Sequence, residues 1–149
     1  MTNDTTQREI INMGQITVSY LLQGKDTNKS MEMFEFSIQV GAKVPVPHYH
    51  RDYDETVYGI EGVITFTVEG VPHNIGPGET LFIPRGATHA FINNGQVATR
   101  TLAVLTPGIL GPGYFRDCAA LVNAGGQPDL ERLKEVMLRY GLVPAMPRP

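Results

Sequence analysis

The chain has 149 residues, 42% of them hydrophobic, and a formal net charge of −3. That is enough chain for one domain with an ordinary core, and it carries no basic footprint for nucleic acid or an anionic membrane. No apolar run is long enough to span a bilayer, the opening MTNDTTQREI lacks the basic-then-apolar order of a signal peptide, and a single cysteine, Cys118, rules out an internal disulfide; together these favour a soluble cytoplasmic protein.

Sixteen glycines and eleven prolines punctuate the chain, the habit of short strands joined by turns. Residues 1 to about 13 are polar and aperiodic and read as a loose arm. Residues 16–24, ITVSYLLQG, read as a strand ended by Gly24, and KDTNKS as a turn cluster. In MEMFEFSIQV (31–40), Phe34, Phe36, Ile38 and Val40 share one face, placed inward, while Met33, Glu35, Ser37 and Gln39 share the other. Between 55 and 84 run further strand-like stretches broken by IEG, VEG and GPG, with Glu69-Gly70 a tight hairpin turn. THAFINNG ends in a turn, and VATRTLAVLTPG (97–108) is another strand. Seven to nine short strands at this spacing predict a sandwich or barrel. Two helices follow, at 114–124 and 128–141. The second has an apolar stripe of Leu130, Leu133, Val136, Met137 and Tyr140, which fits packing against the barrel. Pro128 suits its first position, Asp129 and Glu131 its positive end, and Gly141 its stop. LVPAMPRP is a proline-rich tail. The whole reads as one domain, 1–149, with a barrel core of about 16–108 and a helical extension of about 113–141.

Chemistry concentrates in PHYHRDYDET, Pro47 to Thr56, which holds two of the chain's four histidines. On a strand, His48 and His50 point to the same face about 7 Å apart, so both imidazoles can converge on one ion. Glu55 has the opposite parity, but the turn-like RDYD between them lets the chain reverse and aim Glu55 back. Asp52 and Asp54 sit in that turn, where aspartate serves the backbone. A His-x-His pair alone is weak, and a metal-free polar cluster is the alternative. A distant segment, GETLFIPRGATHAFIN, adds His89 in its own frame of glycine and proline.

The two segments resemble the paired motifs of the cupin superfamily. Gly41, His48, His50, Glu55 and Gly62 match the first, and Gly78, Pro84, Gly86, His89 and Asn93 the second. Residues 63–77 separate them, and the likeness covers roughly 16–108. The helical tail more loosely resembles that of bacterial cupins of quercetin-dioxygenase type. The resemblance implies a double-stranded β-helix, a jelly-roll-like barrel of two antiparallel sheets. It also implies one divalent metal held by His48, His50, Glu55 and His89, and a homodimer. Three neutral imidazoles and a carboxylate suit Fe, Mn, Ni, Co, Cu or Zn and suit calcium poorly. Four protein ligands leave positions open on an ion that prefers six.

Other residues carry milder expectations. His73 fits no ligand position and reads as a surface or edge-strand residue. Tyr49, Tyr53 and Tyr58 read as packing or a pocket mouth, and Arg85 as a solvated turn residue near the rim. Phe34, Phe36, Phe66 and Phe91 read as core with some cavity wall, and Cys118 as a buried small residue. Three functions compete. The first is a metal-dependent dioxygenase acting on a phenolic, flavonol-like or otherwise enolisable small molecule, with Glu55 as ligand and general base. The second is a non-redox isomerase or lyase. The third is a binding or sensing module without turnover. The partner in each case is a small molecule.

Overall fold

Side-chain alternation sets the sheets. In the computed structural model, which describes residues 8–145, β3 (Glu32–Ile38) buries every second residue, and β10 (Thr99–Thr106) does the same beside it. Phe34 and Phe36 from β3 and Ala103 and Leu105 from β10 thus face one interior. Fully burying a phenylalanine contributes about 1.5–3 kcal/mol, so these rows anchor the structure.

The other strands, in chain order, are β1 (Ile10–Met13), β2 (Ile16–Leu22), β4 (His48–His50), β5 (Asp54–Glu61), β6 (Ile64–Val68), β7 (Val71–Ile75), β8 (Thr80–Ile83), β9 (His89–Ile92) and β11 (Leu142–Pro144). The first sheet runs β1-β2-β3-β10-β5-β8 and the second β11-β4-β9-β6-β7, and their strand pairings are antiparallel. Their inner faces meet over a shared core to which Ile64 and Phe66 of β6 contribute. This is the mainly β double-stranded helix expected. At the β6–β7 turn Glu69 (φ 49°) and Gly70 (φ 80°) both occupy the left-handed region, as the tight hairpin requires.

Helices α1 (Pro112–Val122) and α2 (Leu130–Arg139) pack on each other, α1 against β1 and α2 against β11. Pro112 opens α1. Asp129 caps α2, its carboxylate accepting from the Arg132 amide at 3.2 Å. Neither helix is long or apolar enough to cross a membrane.

Several expectations need correction. Part of the supposed loose arm, Ile10–Met13, is an edge strand on β2, while residues 1–7 lie outside the described range. The strand count is eleven among the described residues, because short edge strands escaped the pattern. Val40 is exposed, since β3 ends at Ile38. Pro128 precedes the cap of α2, and Leu130 is exposed. Residues 142–144 of the proline-rich tail form β11 on β4, an edge position where proline is tolerated; residues 146–149 lie outside the described range.

Candidate metal centre

Strand parity sends His48 and His50 inward from β4, and His89 lies directly opposite His48 on β9. The three imidazole centroids stand 4.7–5.3 Å apart. One ring nitrogen from each lies within 4.8 Å of the others, close enough to share one ion. Glu55 comes from the other sheet, on β5, with Oε2 3.9 Å from His89 Nε2. It stands beside the histidine cluster and outside its tight grouping. Residues 51–53 therefore do not make a hairpin; they carry the chain from one sheet to the other. Asp54 already belongs to β5 and pairs with Arg85 at 3.2 Å, which also draws Arg85 into a rim contact. The hydrogen bonds from Arg85 hold the Asp54 carboxyl below its usual range.

The rings are oriented from behind. His48 Nδ1 lies 2.8 Å from the Val46 carbonyl and His89 Nδ1 2.9 Å from the Ala87 carbonyl. A carbonyl only accepts, so Nδ1 carries the proton and donates in each ring, leaving the Nε2 lone pair free. His50 Nδ1 is buried with no protein partner. Tyr53, fully buried, packs on His50 with centroids 4.6 Å apart and donates to the Tyr140 carbonyl at 3.4 Å. Behind β4, β11 pairs Leu142 with His50, and the Arg51 amide donates to Gly141 O at 2.9 Å. Gly86 (φ 85°) shapes the turn into β9, and its amide donates to His50 O at 2.8 Å.

Burial sets the charges. Desolvation, then the neighbouring His89, pushes the His48 pKa down to about 3, and the same causes push His50 down to about 2. Desolvation also lowers His89. All three are neutral donors at physiological pH. Glu55 moves the other way, up to about 7, because burial disfavours its charge. Three neutral imidazoles, one of them (His50) with a buried ring nitrogen that has no protein partner, and an adjacent carboxyl form a donor set that fits a first-row transition ion.

The cluster opens into a cavity of about 70 Å³. Phe34, Phe36, Phe66 and Phe91 line one side, as expected of a cavity wall. Tyr114, Phe115 and Cys118 of α1, Leu133 and Met137 of α2, and Leu142 of β11 line it too, a role that their helical and tail patterns did not reveal. Cys118 is buried there, and burial pushes its thiol up to about 11. Tyr58 is exposed on β5, and His73 sits on the edge strand β7. Asn93 is a structural clamp. Its amide donates to Ile38 O and Val97 O at 2.9 Å each, and its oxygen accepts from Gly95 N at 3.0 Å.

A double-stranded β-helix with histidines from two motif segments converging inside it defines a class of fold, and residues 34–105 match the cupin domain. Within that class, the chain is 34% identical over 71 residues to quercetin 2,3-dioxygenase of Bacillus subtilis, covering 48% of this chain and 20% of that protein. It is 35% identical over 60 residues to the tetracenomycin polyketide synthase protein TcmJ of Streptomyces glaucescens, covering 40% of each. The chain thus matches less than half the length of either relative. Among solved structures, a predicted oxalate decarboxylase from Thermotoga maritima superposes with a TM-score of 0.62 at 25% identity, covering 72% of this chain and 99% of that one. A sugar phosphate isomerase from Silicibacter pomeroyi superposes with a TM-score of 0.57 at 24% identity, covering 67% and 70%.

Proposed function

We propose that His48, His50, His89 and Glu55 hold one divalent transition metal, and that the protein is a metal-dependent oxidoreductase of dioxygenase type acting on a small phenolic or enolisable molecule. The carrying observation is the convergence of three neutral imidazoles, two of them tautomerically fixed by backbone carbonyls, at the inner end of an apolar cavity. A bound transition metal supplies Lewis acidity and redox chemistry. The chain's own residues do the rest. Burial raises the Glu55 carboxyl in the metal-free protein, and a bound cation beside it would favour the carboxylate, the form that can take a hydroxyl or enol proton from a substrate. Phe34, Phe36 and Phe91 exclude water around the substrate body. Likeness to a quercetin dioxygenase and to a polyketide synthase protein supports this reading.

The test is elemental analysis of the purified protein, then O₂ uptake with phenolic and diketone substrates. One bound ion, O₂ consumption, and loss of both on His89→Ala are expected. Metal content near zero with the native residues intact overturns the proposal. Turnover without O₂ moves the reading to an isomerase or lyase, and the likeness to a predicted oxalate decarboxylase supports the lyase arm. Saturable binding without chemical change moves it to a sensing module.

The chain is further proposed to act as one cytoplasmic domain and as a homodimer. Phe82 on β8 and Tyr58 on the adjacent β5 expose large apolar surface on the first sheet, which supports self-association. Analytical ultracentrifugation of wild type and Phe82→Ser tests it.

A further inference from the structure

The histidine part of the cavity lining is set by the two motif segments, but much of the remaining lining is not. Leu110, Tyr114, Phe115, Cys118, Leu133 and Met137 line it, and all six lie C-terminal to the matched cupin domain at 34–105. Phe115 is wedged against the barrel phenylalanines, with centroids 5.2 Å from Phe34 and 5.9 Å from Phe36. Leu133 and Met137, one helical turn apart on α2, are buried and face the same space. The space left between these walls is about 70 Å³. An apolar cavity of about 150 Å³ admits benzene. A flavonol has three rings and needs far more.

We infer that α1 and α2 are the specificity-determining wall of the site, and that Leu133 and Met137 restrict it to compact enolisable carbonyl compounds, smaller than a monocyclic aromatic, and exclude flavonols. The inference rests on the reading that ligands bind beside the histidine cluster, and it narrows the substrate class proposed above. The ligand presents one oxygen-bearing end to the imidazoles and Glu55, and a short hydrocarbon body to the phenylalanines. Besides His48, His50, His89 and Glu55, the ionisable groups of the described lining are the Tyr114 hydroxyl and the Cys118 thiol, which pair with each other, and carbon dominates the rest, so a charged or polyhydroxylated body finds few partners there.

Probe binding to the metal-free protein tests this separately from metal content. Xenon, benzene and quercetin are titrated into wild type, Leu133→Ala, Met137→Ala and the milder Met137→Val, with uptake followed by NMR and folding by circular dichroism. Leu138→Ala, exposed on α2, is the control. Wild type and the control take up xenon and neither benzene nor quercetin. Leu133→Ala or Met137→Ala gains benzene affinity by about tenfold or more over the wild-type limit, and Met137→Val gains less. Quercetin or benzene binding by wild type as tight as by the variants overturns the inference, as does failure of every folded variant to gain benzene. A protein that passes this test but purifies without metal refutes the metal centre and leaves the wall standing.

Discussion

Glu32 is the sharpest test of how the cavity wall is held. It shares the inward face of β3 with Phe34 and is fully buried. Oε1 accepts from the Tyr20 hydroxyl at 2.9 Å and the Gly111 amide at 2.8 Å, and Oε2 accepts from the Leu110 amide at 2.6 Å. Residues 110 and 111 lead directly into α1, so this carboxylate fixes where the helix starts. Glu32→Gln keeps the volume but replaces one acceptor with a donor. If the amide oxygen keeps Tyr20 and Gly111, the new NH₂ faces the Leu110 amide. One hydrogen bond to a carboxylate is lost and two donors oppose each other, a cost of about 2–3 kcal/mol. The flipped rotamer keeps the Leu110 amide and sets the NH₂ against the Gly111 amide, while the Tyr20 hydroxyl turns to accept from the NH₂, so it costs about as much. Against a typical total of about 5–15 kcal/mol, the loss is readily measured by urea denaturation. Hydrogen exchange adds location: α1 amides lose protection before those of β3 and β10. A destabilisation below about 0.5 kcal/mol, or exchange that rises uniformly, refutes the account.

Removal of the Glu55 carboxylate acts on the metal-free protein with a defined sign. Its folded pKa of about 7 lies above the ordinary 4.5, so the stability it confers is present below pH 4.5 and is lost as pH rises through 7. Glu55→Gln therefore gains about 3 kcal/mol over wild type between those limits, read as the difference between their urea curves. His48 and His50 titrate oppositely. Their folded values of about 3 and 2 lie below 6.5, so stability present above pH 6.5 is lost on acidification, by about 3 kcal/mol per pH unit for the pair, until the folded values are reached. Urea titrations of metal-free protein at pH 7, 6 and 5 check this. Asn93→Ala, which removes the side-chain partner of the Ile38 and Val97 carbonyls and of the Gly95 amide and leaves Ile38 O only the long Thr99 hydroxyl contact, costs about 1–3 kcal/mol by the same assay. Gly86→Ala, at φ 85°, costs about 1–2 kcal/mol and weakens metal retention through the strand carrying His89.

The histidine spacing was legible because it is local: parity on β4 alone put His48 and His50 on one face, and the glycine-proline frame around His89 marked its partner strand. The phenylalanine face of β3 was equally open, and the same parity places Glu32 on it. What Glu32 binds was hidden, since its partners are backbone amides 78 and 79 residues away. The origin of Glu55 in the opposite sheet was hidden for the same reason, as pairing between strands is a long-range property. In α2 the stripe of Leu133 and Met137 looked like ordinary packing because a cavity wall and a core present the same pattern to a sequence. Edge strands β1 and β11 bury too few residues to announce themselves.

The histidines sit on one sheet and Glu55 on the other, and this divides the site along the seam of the sandwich. Any group that engages an imidazole and Glu55 together is a rivet through both layers. It can leave only when the layers part or the carboxylate swings away, so its release rate becomes a gauge of how often the sandwich opens. Substitutions in the shared core outside the cavity lining that loosen the layers, such as Ile64→Ala, would then quicken release without touching a single donor.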